Sequence, residues 1–139
     1  MMTPIFIDTS AWIAMAVARD QYHRKAASFY RKISKRNAIL ITSNYILLET
    51  YTRIRYDDGH RKAVSFHRIV LEATRTGRLR VEWVIPSIDQ EAWKIFESYE
   101  DQDFSFVDCT SFVICRRLKV QEVFGFDEHF RTMGFILKP

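Results

Sequence analysis

Glycine and proline are scarce in this chain, at four and three residues out of 139. That scarcity excludes collagen-like and linker-rich architectures and argues against long disordered tracts. Cysteine is nearly absent too. Cys109 and Cys115 form no C-x-x-C pair, and at helical spacing they fall on different faces. Two buried thiols in a reducing compartment are expected, not a disulfide framework. The four histidines (His23, His60, His67, His129) sit at no zinc-ligand spacing. No stretch approaches the ~20 apolar residues of a membrane span. The apolar run from Ala11 to Ala18 is too short for a signal peptide, and Asp8 rather than Lys or Arg precedes it. The expectation is a soluble, cytoplasmic protein.

The chain is rich in bulky residues. Its 11 Phe, 6 Tyr and 3 Trp can fill one sizeable core, and the length suits a single domain spanning residues 1–139. The net charge of +4 points weakly to a polyanionic partner. Bases recur in local groups: Arg24/Lys25, Arg31/Lys32, Lys35/Arg36, Arg61/Lys62, Arg75/Arg78/Arg80 and Arg116/Arg117/Lys119. Most such groups are solvated helix faces.

Apolar patterns and turn signals alternate along the chain. Residues 5–7 read as a buried strand and residues 9–19 as an Ala-rich helix. A second helix over 21–35 places Ala26, Ala27, Phe29, Tyr30 and Ile33 on its apolar side. Residues 38–41 form a second strand, and Thr42 or Ser43 caps a helix reaching about Tyr56. Asp57-Asp58-Gly59 breaks the chain before a helix from His60 to Thr76, stopped by Gly77. A third strand covers 79–85. Pro86 ends it, and Ser87 opens a helix to about Tyr99. Ser105 to Leu118 is helical, residues 122–126 form a fourth strand, and residues 135–137 form a short fifth at an edge. This alternation predicts an α/β fold: a doubly wound α/β/α sandwich on a mainly parallel sheet of four to five strands.

Such sheets bind ligands at the carboxyl ends of their strands. Asp8 directly follows the first strand and Asp127 the fourth. Glu49 lies on the second turn of the helix after the second strand, and Asp108 in the first turn of the helix leading to the fourth. Each acid also has a structural explanation. Asp8 and Asp127 can cap the turns that follow them. Ser105 and Asp108 fit a capping box, and Glu49 and Arg53 can pair at i,i+4. Glu49 is the least ordinary, because Ile46, Leu47, Leu48, Tyr51 and Ile54 surround it. Four acids on one rim repel one another, and a divalent cation relieves that repulsion. Carboxylates suit Mg²⁺ or Mn²⁺, and the implied reaction is metal-assisted phosphodiester hydrolysis. Without these four acids, 13 acids face 21 bases, a net +8 on the rest of the chain.

The order and setting of the acids resemble the PIN-domain ribonuclease family, especially its VapC-type toxin branch. The resemblance is carried by Ile-Phe-Ile-Asp8-Thr-Ser-Ala-Trp, Leu-Leu-Glu49-Thr-Tyr, Asp103-Phe-Ser-Phe-Val-Asp108-Cys-Thr-Ser-Phe and Phe126-Asp127-Glu-His-Phe130. It spans residue 5 to about 135. It implies cleavage of single-stranded RNA with Mg²⁺ or Mn²⁺. Asp8 and Asp108 would be the central metal ligands. Glu49 and Asp127 would complete the acidic set, holding a second ion or positioning water. Thr9 or Ser10 would support Asp8, or simply cap its helix. An antitoxin partner and a homodimer are family expectations.

Many relatives carry Thr two residues before the fourth acid, where this chain has Gly125, so a supporting hydrogen bond is expected to be missing. Asp101 or Asp103 could be a peripheral ligand, but both read as solvated loop acids; His129 is a candidate general base, but metal-bound water needs none, and it reads as a surface histidine beside the site. Two other readings compete. A receiver-type phosphoacceptor domain would want paired acids after the first strand and a Lys after a late one, and neither is present. A non-catalytic RNA- or protein-binding domain would retain the fold alone. No Gly-rich phosphate loop supports a nucleotide-binding fold.

Overall fold

The computed structural model describes residues 3–139. Five strands, β1 (Pro4–Ile7), β2 (Ile39–Ser43), β3 (Leu79–Glu82), β4 (Glu122–Phe124) and β5 (Ile136–Lys138), form one sheet in the order β3-β2-β1-β4-β5. Every neighbouring pair is parallel. The sheet is purely parallel and has five strands, within the expected four to five. Among the described residues seven helices connect the strands: α1 (Thr9–Ala16), α2 (His23–Lys35), α3 (Asn44–Asp58), α4 (His60–Arg75), α5 (Pro86–Ser98), α6 (Phe106–Arg117) and α7 (His129–Thr132).

β1 is central because it can be. Ile5, Phe6 and Ile7 are fully buried, and alternation gives way to a continuous apolar run, as a strand covered on both faces requires. The chain winds outward through β2 and β3 on one side, then crosses to β4 and β5 on the other. The winding direction therefore reverses between β1 and β4, and a crevice opens there at the carboxyl ends of the strands.

α6 is the most deeply set helix, with every residue from Asp108 to Cys115 buried. A helix that is apolar nearly all round belongs in a core. Phe112 is its hub, edge-on to Phe104 at 5.1 Å and to Phe130 at 5.3 Å. Cys109 and Cys115 are buried free thiols, as expected. Trp12 Nε1 donates to Thr42 Oγ1 (3.2 Å), whose hydroxyl donates to the Ile7 carbonyl (3.0 Å). That chain ties α1 and β2 to the carboxyl end of β1.

Several boundaries differ from the sequence reading. α1 stops at Ala16, not residue 19, because Val17 turns extended and Asp20 accepts a hydrogen bond from Tyr22 N (2.8 Å) to make a tight turn. Strand β2 runs to Ser43, so Thr42 is a strand residue and Ser43 is the cap of α3. β3 ends at Glu82 instead of 85, where Val84 N donates to Asn44 Oδ1 (2.7 Å) rather than to a strand. Pro86 opens α5 at its first position, where its missing N–H costs nothing. Beyond Phe124 the ladder of β4 ends at Gly125, and Phe126 N donates to the Ser10 side chain.

Candidate active site

The crevice between β1 and β4 gathers three of the four predicted acids. Asp8 leaves β1, and its N–H still donates to the Phe124 carbonyl of β4 (3.0 Å). It is also the N-cap of α1, where its Oδ2 accepts from Ser10 N (3.4 Å) and Ser10 Oγ (2.9 Å). Asp108 is in the first turn of α6. The Ser105–Asp108 capping box is present: Asp108 N donates to Ser105 Oγ (3.0 Å), and Ser105 N donates to Asp108 Oδ2 (3.1 Å). Asp127 follows β4 and accepts from His129 N at Oδ1 (3.0 Å). Capping and clustering are thus carried by the same side chains. The helix starts supply the donors that hold each carboxylate in place.

Burial sets the electrostatics. Asp8 is 5% exposed and Asp108 7%. Desolvation, followed by the Asp108 charge, pushes the Asp8 carboxyl up to about 7, despite the opposing hydrogen bonds from Ser10 and Thr9. Burial also raises Asp108, against the pull of its Ser105 and His129 hydrogen bonds. For His129 burial acts to lower the pKa, but Asp108, Asp127 and Asp103 outweigh it and the net shift is upward. The site therefore carries more negative charge than its own donors compensate.

His129 is the residue that sequence reasoning misplaced. It is drawn into the site: Nδ1 lies 2.9 Å from Asp108 Oδ2 and 3.2 Å from Asp127 Oδ1. Its position two residues after Asp127 was the available signal. Asp108, Asp127 and His129 each offer a ligand atom within 4.8 Å of the others. Asp101 and Asp103 are exposed, as expected, although the Asp103 charge reaches His129.

Glu49 is half-buried on α3, a helix packed on both α1 and α6. Like Asp8 it falls outside the Asp108–Asp127–His129 group, and no ion pair joins it to Arg53 among the described residues. Ser10 is the supporting hydroxyl, bridging Asp8 Oδ2 and Phe126 N (2.9 Å). Thr9 Oγ1 is buried without a hydrogen-bond partner among the described residues. Gly125 acquires a different meaning from a lost hydrogen bond. A Cβ there would stand 3.1 Å from Asp8 Cβ and 3.2 Å from Ser10 Oγ. The glycine makes room for the Asp8–Ser10 pair, and Ser10 supplies the local hydrogen bonding.

The sequence model of the PIN domain matches residues 5–136, nearly the whole chain. The chain belongs to the PIN-domain family. This PIN domain is 34% identical, over 132 residues and 95% of both chains, to the 23S rRNA-specific endonuclease VapC20 of Mycobacterium tuberculosis. The crystal structure of that relative, described as a sarcin-ricin loop cleaving toxin, superposes with a TM-score of 0.85 at 33% identity, covering 97% of this chain and 99% of that one. VapBC2 from Rickettsia felis, solved bound to a promoter DNA fragment, shares the fold at a TM-score of 0.72 and 12% identity, with 98% of each chain covered. Among the described residues, no helix of this PIN domain is long and apolar enough to cross a membrane.

Proposed function

We propose that this PIN domain is an endoribonuclease of the VapC toxin type that hydrolyses RNA phosphodiester bonds with Mg²⁺ or Mn²⁺. The observation that carries the reading is the convergence of Asp8, Asp108 and Asp127 at the β1/β4 crevice, with two of the three carboxylates buried and raised by that burial despite their hydrogen bonds. The 34% identity to a 23S rRNA endonuclease over 95% of both chains supports it.

The donor set fits a hard divalent cation. Oδ2 of Asp108 is committed to Ser105 N and His129, and Oδ1 of Asp127 to His129. The second oxygen of each accepts no hydrogen bond from the described residues, so each keeps one oxygen for a ligand. Asp8 and Asp108 would hold the ion. Asp127 and Glu49 would complete the acidic set. The chemistry such a cation supplies is activation of water and neutralisation of charge on the phosphate. Ser10 and Thr9 are assigned supporting roles at Asp8. We read residues 1–139 as a single domain acting in the cytoplasm.

A cognate antitoxin is the proposed protein partner. A groove of about 460 Å³ between α1, α2 and α4, lined by Trp12, Met15, Tyr30, Phe66 and Ile69, offers an apolar surface for one. Exposed Trp83, Ile85 and Trp93 support a homodimer in the same way; sedimentation at two concentrations tests it. The deciding experiment for function is RNA cleavage with EDTA and Mn²⁺ arms. Cleavage is expected only with Mn²⁺, and Asp8→Asn and Asp108→Asn are each expected to abolish it while leaving the circular dichroism spectrum intact. Full activity in either variant, or in EDTA, refutes the assignment.

A further inference from the structure

The group that most needs an explanation beyond the acids is His129. It touches two aspartates through three separate contacts. Its backbone N–H donates to Asp127 Oδ1 (3.0 Å), and its ring Nδ1 lies 3.2 Å from that same oxygen and 2.9 Å from Asp108 Oδ2. Asp108 is in the first turn of α6 and Asp127 follows β4, so no local backbone geometry sets the distance between them. His129 is the residue that spans the gap. The ring itself is restrained. It stands edge-on to buried Phe104 at 5.3 Å, Phe104 packs on Phe112, and Phe112 packs on Phe130, the residue after His129. The aromatic chain closes on itself and leaves the imidazole little freedom to leave the carboxylates.

We propose that His129 is a positioning residue whose ring Nδ1, hydrogen-bonded to Asp108 and in ion-pair contact with Asp127, sets the spacing and orientation of the two carboxylates for a divalent cation. The inference rests on the reading of those acids as cation ligands. It differs from a general-base role, which would use His129 to take a proton from water, and from a ligand role, which would place the cation on the imidazole. Each aspartate presents to His129 an oxygen already engaged by a backbone N–H, Ser105 N for Asp108 and His129 N for Asp127. The opposite oxygens are left for the ion. A fixed donor beneath two ligating carboxylates is the arrangement by which outer partners orient metal ligands, and its loss costs ~10–100-fold in affinity.

Asn places a donor close to the position of imidazole Nδ1, whereas Gln places one near Nε2. The test compares wild type with His129→Ala, His129→Asn and His129→Gln by calorimetric titration of MnCl₂ and of MgCl₂ into EDTA-stripped protein. The expected result is a loss of about 10–100-fold for Ala and Gln, equal for the two ions, with recovery to within a few-fold for Asn. A loss confined to Mn²⁺ overturns the proposal in favour of imidazole ligation. Unchanged affinity in His129→Ala overturns it outright. In the RNA cleavage assay, His129→Ala is expected to regain most of its kcat at saturating Mn²⁺; a kcat that stays low despite full Mn²⁺ binding overturns it in favour of general-base chemistry. A second readout needs no metal. In EDTA, a double-mutant cycle of His129→Ala and Asp108→Asn on melting temperature is expected to be non-additive, and additivity overturns the contact itself. If wild type binds neither ion, the proposed function fails, and the metal-free cycle still decides whether His129 holds Asp108.

Discussion

Replacing Asp8 by Asn should make the metal-free protein more stable, and the gain should grow with pH. Burial and the Asp108 charge raise the Asp8 carboxyl from 3.8 to about 7 in the folded state. A raised acid binds its proton more tightly when folded, so its stabilising contribution is complete below the unfolded value and is lost as pH climbs toward 7. From pH 5 to pH 8 the folded wild type must give up a proton that the unfolded chain has already released. At about 1.36 kcal/mol per pKa unit, the loss over that window is roughly 2.5 kcal/mol. With about 2.1 cal/mol/K of unfolding entropy per residue, that corresponds to ~9 °C in Tm. Asn escapes the titration and caps a helix about as well as Asp, and its carbonyl can still accept from Ser10. The assay is thermal melting of wild type and Asp8→Asn in EDTA at pH 5, 6.5 and 8. The difference between the variants should widen by several degrees in favour of Asn across the series. Adding Mn²⁺ at pH 8 should raise the wild-type Tm and leave the variant nearly unmoved. A difference that stays constant with pH, or a variant that loses ground toward pH 8, would show that the Asp8 carboxylate stabilises the fold as an ionised cap, and would refute the reasoning.

Further expectations follow from single contacts. Gly125→Ala should cost about 1–3 kcal/mol and lower cleavage, because the new methyl meets Asp8 and a Ser10 held by two hydrogen bonds, neither of which can retreat; denaturant melts and the RNA assay check both effects. Ser10→Ala removes the bridge between Asp8 and Phe126 N and should destabilise by about 1–2 kcal/mol, with weaker Mn²⁺ binding by calorimetry. Burial pushes the Cys109 thiol up to about 11 and the Cys115 thiol higher still, so iodoacetamide at pH 8 should leave both unmodified in the native protein and alkylate both in denaturant, as mass spectrometry would report. Phe112→Ala should cost about 3–5 kcal/mol, since it empties the centre of the Phe104–Phe130 stack.

Local pattern alone was sufficient for the elements, the parallel α/β class and the rim on which to look. The apolar run Ile5-Phe6-Ile7 has to be a strand covered on both faces, and Asp8 has to leave its carboxyl end. The Ser105–Asp108 spacing dictates a capping box, which forms. These are short-range consequences of side-chain size, hydrogen bonding and period. What only the tertiary structure decided are the distances between segments far apart in the chain. Element ends moved where a remote partner competed with the ladder, as Asn44 does for Val84 and Ser10 for Phe126. Gly125 reads locally as a missing hydrogen bond, whereas Asp8, 117 positions earlier, packs against it. His129 read as a bystander because nothing within its own turn reveals that Asp108 lies 2.9 Å away. Glu49 shows the reverse: its apolar surroundings make it conspicuous, yet of those neighbours Ile46, Leu47 and Ile54 serve the core while Leu48 is exposed, and none carries information about how near its carboxylate comes to the others. Periodicity determines which face of an element is buried; the meeting of two carboxylates and the donor between them is a property of the packed sheet and its crossover.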